Sequence, residues 1–306
     1  MANKNDDYLK RFIDYLRDER RYSENTILAY SNDIKEYFAF LDSNEFGDAS
    51  DVSERVAEFY FGDIREKYTP RSIQRKSSSI KTFYNYFVDI QKEFDKNPFL
   101  AVSLPKVEKR LPKFVYDDEI SAFLSSIDTS TDQGKRDKLI FELLYGSGLR
   151  VSELTSMRLK DVDVDSRRIV VHGKGSKDRI VPMTKASQED YKTYLILARP
   201  TFLARSKNLD NDTVFLNFHG GSLTSRGVRD ILERVLNETS STMKVSPHAF
   251  RHSFATHLLN KGMDVRMVQE LLGHSNLSTT QIYTKISKEA LQKEYNKAFP
   301  KGKKDD

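Results

Sequence analysis

The C-terminal third of the chain concentrates side chains that can bind anions, transfer protons or attack as nucleophiles. His248 and Arg251 lie three residues apart in SPHAFRHSFATHLL, so a helix would place them on one face. His274 follows Gly273 in LLGHSNLSTTQIYT, and Tyr283 comes nine residues after His274. Each signal is weak alone, because this tyrosine is one of 15 and a tyrosine among apolar helical neighbours usually belongs to a core.

Two other kinds of site are less well supported. His248 and His252 have the i, i+4 spacing of zinc ligands on a helix, but the sequence has neither an HExxH pattern nor a cysteine. The GKG segment around Lys174 departs from the GxxxxGK[ST] spacing of a phosphate-binding loop, so Lys174 alone would be an ordinary turn lysine. We therefore expect no bound metal.

Composition limits the class of protein. The 306 residues suggest two domains, and 50 Lys and Arg against 45 Asp and Glu give a net charge of +5, which leaves nucleic acid open as a partner. The absence of cysteine excludes a disulfide scaffold and fits a reducing cytoplasm. No apolar run could span a membrane and no apolar stretch precedes the first charges, so we expect a cytoplasmic protein without membrane contact.

The first hundred residues are expected to be helical. Apolar residues recur at helical spacing through 6–42 and 51–95, and Ser23 and Asn25 indicate a helix start before Thr26. The chain becomes basic and proline-containing after these helices. We therefore expect a helical domain at 1–102, an extended linker at 103–113 and a second domain at 114–306.

The helix that Pro70 begins has two different faces. Its apolar face carries Ile73, Ile80, Phe83, Tyr84 and Phe87. Its opposite face carries Arg71, Arg75, Ser78 and Thr82. Such a polar face could contact the phosphates and grooves of a nucleic acid, although an ordinary solvated face has the same composition.

The second domain is expected to be mostly helical with one small sheet. Residues 138–144 predict a helix, and Gly146 and Gly148 favour a sharp turn after it. Residues 161–183 contain two β-rich runs on either side of the GKG turn, which predicts a hairpin. From residue 187 onward the pattern is helical again.

Taken together, six residue types in one order resemble the catalytic set of the tyrosine recombinase (phage integrase) family. They are Arg150, Lys174, His248, Arg251, His274 and Tyr283. The segments GKGSKDRIVP, HSFATHLL and QELLGHSNLSTTQIYT are most similar to the Xer subgroup. The resemblance covers nearly the whole chain and implies a mainly α fold. A SAM-like, helical core-binding domain would bind DNA, and a mostly helical catalytic domain with a small antiparallel sheet would follow it.

The resemblance also implies that the site acts on a DNA phosphodiester. Arg150 and Arg251 would clamp its non-bridging oxygens, because a guanidinium group pairs two oxygens and keeps its charge as negative charge builds there. His274 would donate to a non-bridging oxygen. Glu153, one turn from Arg150, would orient that guanidinium unless the two form only an i, i+3 surface pair.

Tyr283 would be the nucleophile, giving a 3′-phosphotyrosine and a free 5′-hydroxyl. A free tyrosine has a pKa near 10, so a base must assist its attack, and His248 is the candidate. Lys174 would protonate the leaving oxygen. The covalent link preserves the phosphodiester bond, so rejoining needs no ATP and we expect no cofactor.

The resemblance implies partners as well. The substrate would be double-stranded DNA with inverted half-sites, cut by a tetramer that includes a second recombinase of the Xer subgroup. A septal DNA translocase of the FtsK kind would assist in resolving chromosome dimers. The alternatives are an integrase of a phage or mobile element and, in a different class, a DNA-binding protein without activity. The short segment before residue 6 favours the Xer role over an integrase with an arm-binding domain.

The last helix carries apolar residues at Leu291, Tyr295 and Phe299. It resembles the segment that, in this family, docks into a neighbouring subunit. The alternative is that it packs on its own domain.

Overall fold

The computed structural model describes residues 4–105, 115–173, 178–239, 243, 245–273 and 288–299. The chain divides into two compact units, Met1–Arg110 and Leu111–Asp306. Each unit has its own apolar core. Within the described ranges, no helix combines the length and apolar character that a membrane crossing requires.

The described residues of the first unit form helices and loops. The α-helices are α1 (Lys4–Asp14), α2 (Glu24–Ser43), α3 (Glu54–Lys67) and α4 (Pro70–Asn85). Shorter helical turns lie at Tyr15–Glu19, Ala49–Asp51 and Tyr86–Ile90. The predicted helical span 6–42 is interrupted before α2, where Arg21 takes a positive φ of 50°. Ser23 then caps α2 by accepting a hydrogen bond from the backbone N–H of Thr26, as its sequence predicted.

Helix α4 separates its two faces as predicted. The apolar residues Ile73, Ile80, Phe83, Tyr84 and Phe87 are buried. The hydroxyl of Tyr84 lies 2.7 Å from that of Tyr37 on α2, so these two buried hydroxyls are paired. The opposite face leaves Arg71, Arg75 and Ser78 exposed, whereas Thr82 is half-buried.

The second unit is mostly helical, with a small sheet in its middle. The helices before the sheet are α5 (Asp117–Ser126), α6 (Asp132–Gly146) and α7 (Val151–Ser156). The helices after it are α8 (Lys185–Thr193), α9 (Arg199–Leu203), α10 (Ser225–Glu238), α11 (Pro247–Asn260), α12 (Val265–Leu272) and α13 (Lys288–Ala298). Shorter helical turns lie at Leu159–Asp161 and Tyr194–Ala198.

The sheet contains the predicted hairpin. Its strands β1 (Val162–Asp163), β2 (Arg168–Val171) and β3 (Arg179–Pro182) lie in that order and pair antiparallel. Ile169 pairs with Val181 across the hairpin, and both side chains are buried, which fixes this face of the sheet on the core. Residues 174–177, which include Lys174 of the predicted GKG turn, lie outside the described residues.

The prediction of helix from residue 187 onward is wrong between α9 and α10. Here asparagine side chains bond to the main chain instead. Asn211 Oδ1 accepts from the backbone N–H of Thr213 at 3.1 Å, and Asn217 Oδ1 accepts from that of His219 at 2.9 Å. Local bonds of this kind compete with helical bonds, so the segment forms turns.

Helix α13 packs on its own unit in this single chain. The buried hydroxyl of Tyr295 donates to the Gly146 carbonyl at the end of α6, at 2.7 Å. The ring of Phe299 stacks on Phe254 and His257 of α11, with ring centroids 6.0 and 5.1 Å apart. The docking of α13 into a neighbouring subunit stays a prediction.

A substitution at Gly148, in the turn between α6 and α7, would test how tightly this unit is packed. Its φ is +61°, and a Cβ atom there would lie 2.4 Å from the ring of Phe254. We expect Gly148→Ala to lower the free energy of unfolding by about 1–2 kcal/mol for the left-handed backbone. Crowding of the buried ring should add about 1–3 kcal/mol.

Gly262→Ala is the matched control in the same unit. Gly262 has a φ of +85°, yet no atom of the described residues lies within 4 Å of its Cβ position. It should therefore show only the backbone cost. Urea titrations of the full chain, followed by circular dichroism, measure both variants, and equal losses would contradict the crowding argument.

Candidate active site

Arg150 occupies the position before the first residue of α7, directly after the turn at Gly148. Its backbone N–H donates to Glu153 Oε2 at 2.7 Å, and its Nη1 donates to Glu153 Oε1 at 2.7 Å. A glutamate three residues after a helix start commonly reaches back in this way. The Arg150 side chain stays 42% exposed, so it is anchored at one edge and open to a ligand.

Glu153 is the centre of a cluster of arginines. Its side chain is only 9% exposed, and it accepts two hydrogen bonds from Arg179 of β3, at 2.9 and 2.8 Å. Arg251 lies 3.8 Å from Glu153 Oε2. Burial raises the pKa of Glu153, but hydrogen bonds from Arg179 and Arg150 outweigh it and lower the pKa to about 2.

Arg251 lies in the second turn of α11, and two main-chain carbonyls hold its guanidinium group. Its Nη1 donates to the Gly148 carbonyl and its Nη2 donates to the Leu272 carbonyl at 2.6 Å. Burial and the charge of nearby Arg150 lower the pKa of Arg251 to about 10, and Glu153 opposes them. Arg251 therefore remains protonated at neutral pH. Three guanidinium groups around one carboxylate leave net positive charge, which suits a phosphate group.

His248 lies on the same helix as Arg251, one turn earlier, and is exposed. Pro247 occupies the first position of α11, where its missing N–H costs nothing. His252 is half-buried. Among the described residues, no group of three or more His, Cys, Asp and Glu side chains could hold a metal ion.

Three of the six predicted site residues, Lys174, His274 and Tyr283, lie outside the described residues. The structure therefore brings together only Arg150 and Arg251 of the catalytic set, with Glu153 between them and His248 on the Arg251 helix.

Sequence reasoning missed Arg179. Its one signal was its place in the GKGSKDRIVP segment, five residues after Lys174, and nothing in that spacing indicates a contact with Glu153.

The polar face of α4 also differs in detail from expectation. Arg71 and Ser78 are exposed, whereas Arg75 forms an ion pair with Asp33 of α2, a carboxylate that is almost fully buried. Ser79 also donates to this carboxylate, at 2.7 Å. The buried Asp33 carboxylate thus holds Arg75 at the surface of the first unit, and about half of the Arg75 side chain is exposed.

Comparison with known families gives the class of protein. Residues 113–290 match the phage integrase family, and residues 9–91 match the phage integrase N-terminal SAM-like domain. The tyrosine recombinase XerC of Bacillus pumilus (strain SAFR-032) is 44% identical over 291 residues, which cover 95% of each chain. The tyrosine recombinase XerC of Bacillus subtilis (strain 168) is 41% identical over 295 residues, which cover 96% of each chain.

Solved structures share the fold. The Tn1549 transposon integrase in complex with a circular intermediate DNA aligns with a TM-score of 0.68 at 21% identity, covering 88% of this chain and 92% of that one. The XerH site-specific recombinase bound to its difH substrate aligns with a TM-score of 0.67 at 22% identity, covering 90% and 80%. The predicted mainly α architecture is confirmed.

The chain therefore belongs to the phage integrase family, whose members are the tyrosine recombinases. It is a site-specific recombinase, an enzyme that cuts and rejoins DNA. Over nearly its whole length it is similar to the XerC proteins of Bacillus, so the family and subgroup predicted from the sequence are confirmed.

The charge of Glu153 should be visible in the pH dependence of stability. Its pKa is lower in the folded chain than the ordinary 4.5, so its contribution is present above about pH 4.5 and is lost as pH falls toward 2. We expect the stability advantage of the native chain over Glu153→Gln to shrink by about 1 kcal/mol from about pH 5 to about pH 3.5. Urea titrations across this range measure it.

Glu189→Gln is the control, because Glu189 pairs with Lys185 on an exposed helical surface. Its difference from the native chain should change much less over the same range, because this carboxylate is exposed to solvent. A pH-independent difference for Glu153→Gln would mean that Glu153 is not ionised in a cationic cluster.

Proposed function

We propose that the enzyme cuts DNA with six residues that act on one phosphodiester group. They are Arg150, Lys174, His248, Arg251, His274 and Tyr283. The observation that carries this proposal is the meeting of Arg150 and Arg251 at Glu153, because two independently placed guanidinium groups with excess positive charge are what a phosphate under attack requires.

In the cleavage step, the Tyr283 oxygen forms a bond to phosphorus as the bond from phosphorus to the 5′-oxygen of the next nucleotide breaks. His248 accepts the phenol proton, and Lys174 gives a proton to the leaving oxygen. Arg150, Arg251 and His274 stabilise the charge on the non-bridging oxygens. Arg251 is fixed by two carbonyls before DNA arrives, so little reorganisation is needed at this step.

Rejoining reverses the chemistry. A 5′-hydroxyl from the partner strand attacks the 3′-phosphotyrosine, phosphorus–oxygen bonds are exchanged one for one, and Tyr283 regains its proton. No net bond energy is lost, so the exchange of strands needs neither ATP nor another cofactor.

We propose that the chain resolves chromosome dimers at cell division, as a cytoplasmic protein. The support is the near full-length similarity to XerC proteins. The enzyme would act on inverted half-sites in a tetramer with a second recombinase of the XerD type, assisted by an FtsK-like septal translocase. The role of a mobile-element integrase is the alternative, and phage or excisionase genes beside this gene would favour it.

The predicted domain 1–102 would hold the DNA with the polar face of α4, and the predicted linker 103–113 would join it to the catalytic domain 114–306. Arg71, Arg75 and Ser78 are the proposed contacts. Asp33 fixes Arg75 at the helix surface, which lowers the entropy that this side chain would lose on binding. Helix α13 would exchange its present position for a neighbouring subunit when the tetramer forms.

Tyr283→Phe tests the chemistry directly. Randomly nicked genomic DNA of the source organism is incubated with the full chain, and DNA that stays attached in denaturing detergent is recovered and sequenced. We expect the native chain to yield covalent adducts at one recurrent site. Tyr283→Phe should bind a duplex of that site with unchanged affinity and yield no adduct, because phenylalanine has no oxygen to attack.

Tyr116→Phe is the matched control, since it removes the hydroxyl of an exposed tyrosine of the same unit. It should form adducts at the native rate. Adducts that persist in Tyr283→Phe would refute the assignment of the nucleophile.

Lys174→Ala tests the proton donor. A nicked duplex that carries the recovered site releases a short strand on cleavage and so traps the adduct. We expect the variant to cleave this duplex at least about 100-fold more slowly, the size of a lost general acid. A duplex with sulfur in place of the leaving 5′-oxygen should restore the rate, because a thiolate leaves without a proton.

The sulfur duplex should restore nothing to Tyr283→Phe, which serves as the negative control. If Lys174→Ala remained equally slow on both duplexes, another residue would be the acid.

A further inference from the structure

Arg179 connects three segments of the catalytic unit. It lies at the start of β3, and its side chain is only 11% exposed. Its two Nη atoms donate to the two carboxylate oxygens of Glu153 on α7, and its Nε donates to the Leu271 carbonyl near the end of α12 at 2.8 Å. Each of the three nitrogens of this guanidinium, Nε, Nη1 and Nη2, therefore donates to an acceptor inside the protein.

We propose that Arg179 is a positioning residue for DNA cleavage, which acts by holding the Glu153 carboxylate in the one orientation that directs Arg150 toward the phosphate. This inference rests on the proposed function of Arg150. In this inference Arg179 acts through Glu153 and not by touching the DNA, because Glu153 and Leu271 accept three of its five N–H groups.

The geometry gives Arg179 control over Arg150. The guanidinium of Arg150 has one short bond, from Nη1 to Glu153, and a weak one from Nη2 to the Gly273 carbonyl at 3.4 Å. A carboxylate that could rotate would carry the Arg150 side chain with it. Arg179 prevents rotation because its fork binds both carboxylate oxygens at once.

A close contact supports the same role. Gly273 ends α12 with a φ of +64°, and a Cβ atom there would lie 3.0 Å from both Cδ and Nη1 of Arg179. The Arg179 side chain therefore lies directly against this turn, and the turn carbonyl is the second acceptor for Arg150. Loss of Arg179 would loosen both acceptors of the Arg150 guanidinium, and among the described residues only Arg150 itself would then donate hydrogen bonds to the Glu153 carboxylate.

Charge supports it as well. The hydrogen bond from Arg179 counteracts the rise that burial causes in the pKa of Glu153. Without Arg179, that pKa should move upward. Glu153 would then take up a proton at a higher pH and release Arg150.

Arg179→Gln, Arg179→Lys and Arg234→Gln form the test set. Arg234 is the matched control, because it binds the fully buried carboxylate of Asp137 on α6 together with Arg136 and lies outside the Glu153 cluster. Each full-length variant is given the nicked duplex that traps the adduct. The first-order rate at saturating DNA, the DNA dissociation constant and the pH dependence of the rate are measured.

We expect Arg179→Gln to slow adduct formation at saturating DNA by about 100-fold, the effect of a catalytic group displaced by about 1 Å. Its dissociation constant should change less than about threefold, and its rate should begin to fall at a higher pH than that of the native chain. Arg179→Lys, which keeps the charge without the fork, should be intermediate in rate. Arg234→Gln should keep the native rate and pH profile.

If Arg179→Gln does not fold, judged by circular dichroism, Arg179→Lys alone carries the test, with a reduced rate and a shifted pH profile expected. A folded Arg179 variant with a native rate, or one slowed without any shift in pH profile, would overturn the inference. The proposed function fails separately, because in that case the native chain itself would form no adduct.

Discussion

The catalytic unit depends on one carboxylate among three guanidinium groups. Glu153 bonds to Arg150 and Arg179 and lies 3.8 Å from Arg251. Like charges repel strongly in a partly buried space, and the ionised carboxylate between the arginines offsets that repulsion. One negative charge does not cancel three positive charges. The cluster therefore keeps an attraction for anions, and a DNA phosphate is the anion that a recombinase must bind.

The two arginines proposed to bind phosphate are held in different ways. Arg251 is 6% exposed and bonds to main-chain carbonyls, whose positions depend on the turn at Gly148 and the end of α12. Arg150 is 42% exposed and depends on a side chain, Glu153. The fold thus fixes the Arg251 guanidinium and lets the Arg150 guanidinium move within limits. In the proposed mechanism, Arg251 and Arg150 would bind the phosphate before attack, and Arg150 could adjust as the geometry at phosphorus changes.

The features that could be predicted from the sequence are those set by near neighbours. Ser23 as a helix cap, the two faces of α4 and the Arg150–Glu153 pair all follow from spacings of a few residues. Arg179 escaped prediction because its acceptors lie 26 and 92 residues away, and only the folded chain brings them together. The turns between α9 and α10 were not predicted, for a different reason. Their asparagine side chains take the main-chain bonds that a helix would need, and apolar periodicity does not report this competition.

The same cluster joins stability to function. Burial and the charge of Arg150 lower the pKa of Arg251, which means that the free protein holds this proton at some cost. An anion that binds between Arg150 and Arg251 removes part of that cost, and a ligand that binds only the folded state stabilises it. In the proposed mechanism, the repulsion between the arginines, which Glu153 only partly offsets, would therefore add to the affinity for phosphate. A second carboxylate beside this cluster would reduce its net positive charge, and it would compete with the DNA for the two guanidinium groups proposed to bind phosphate.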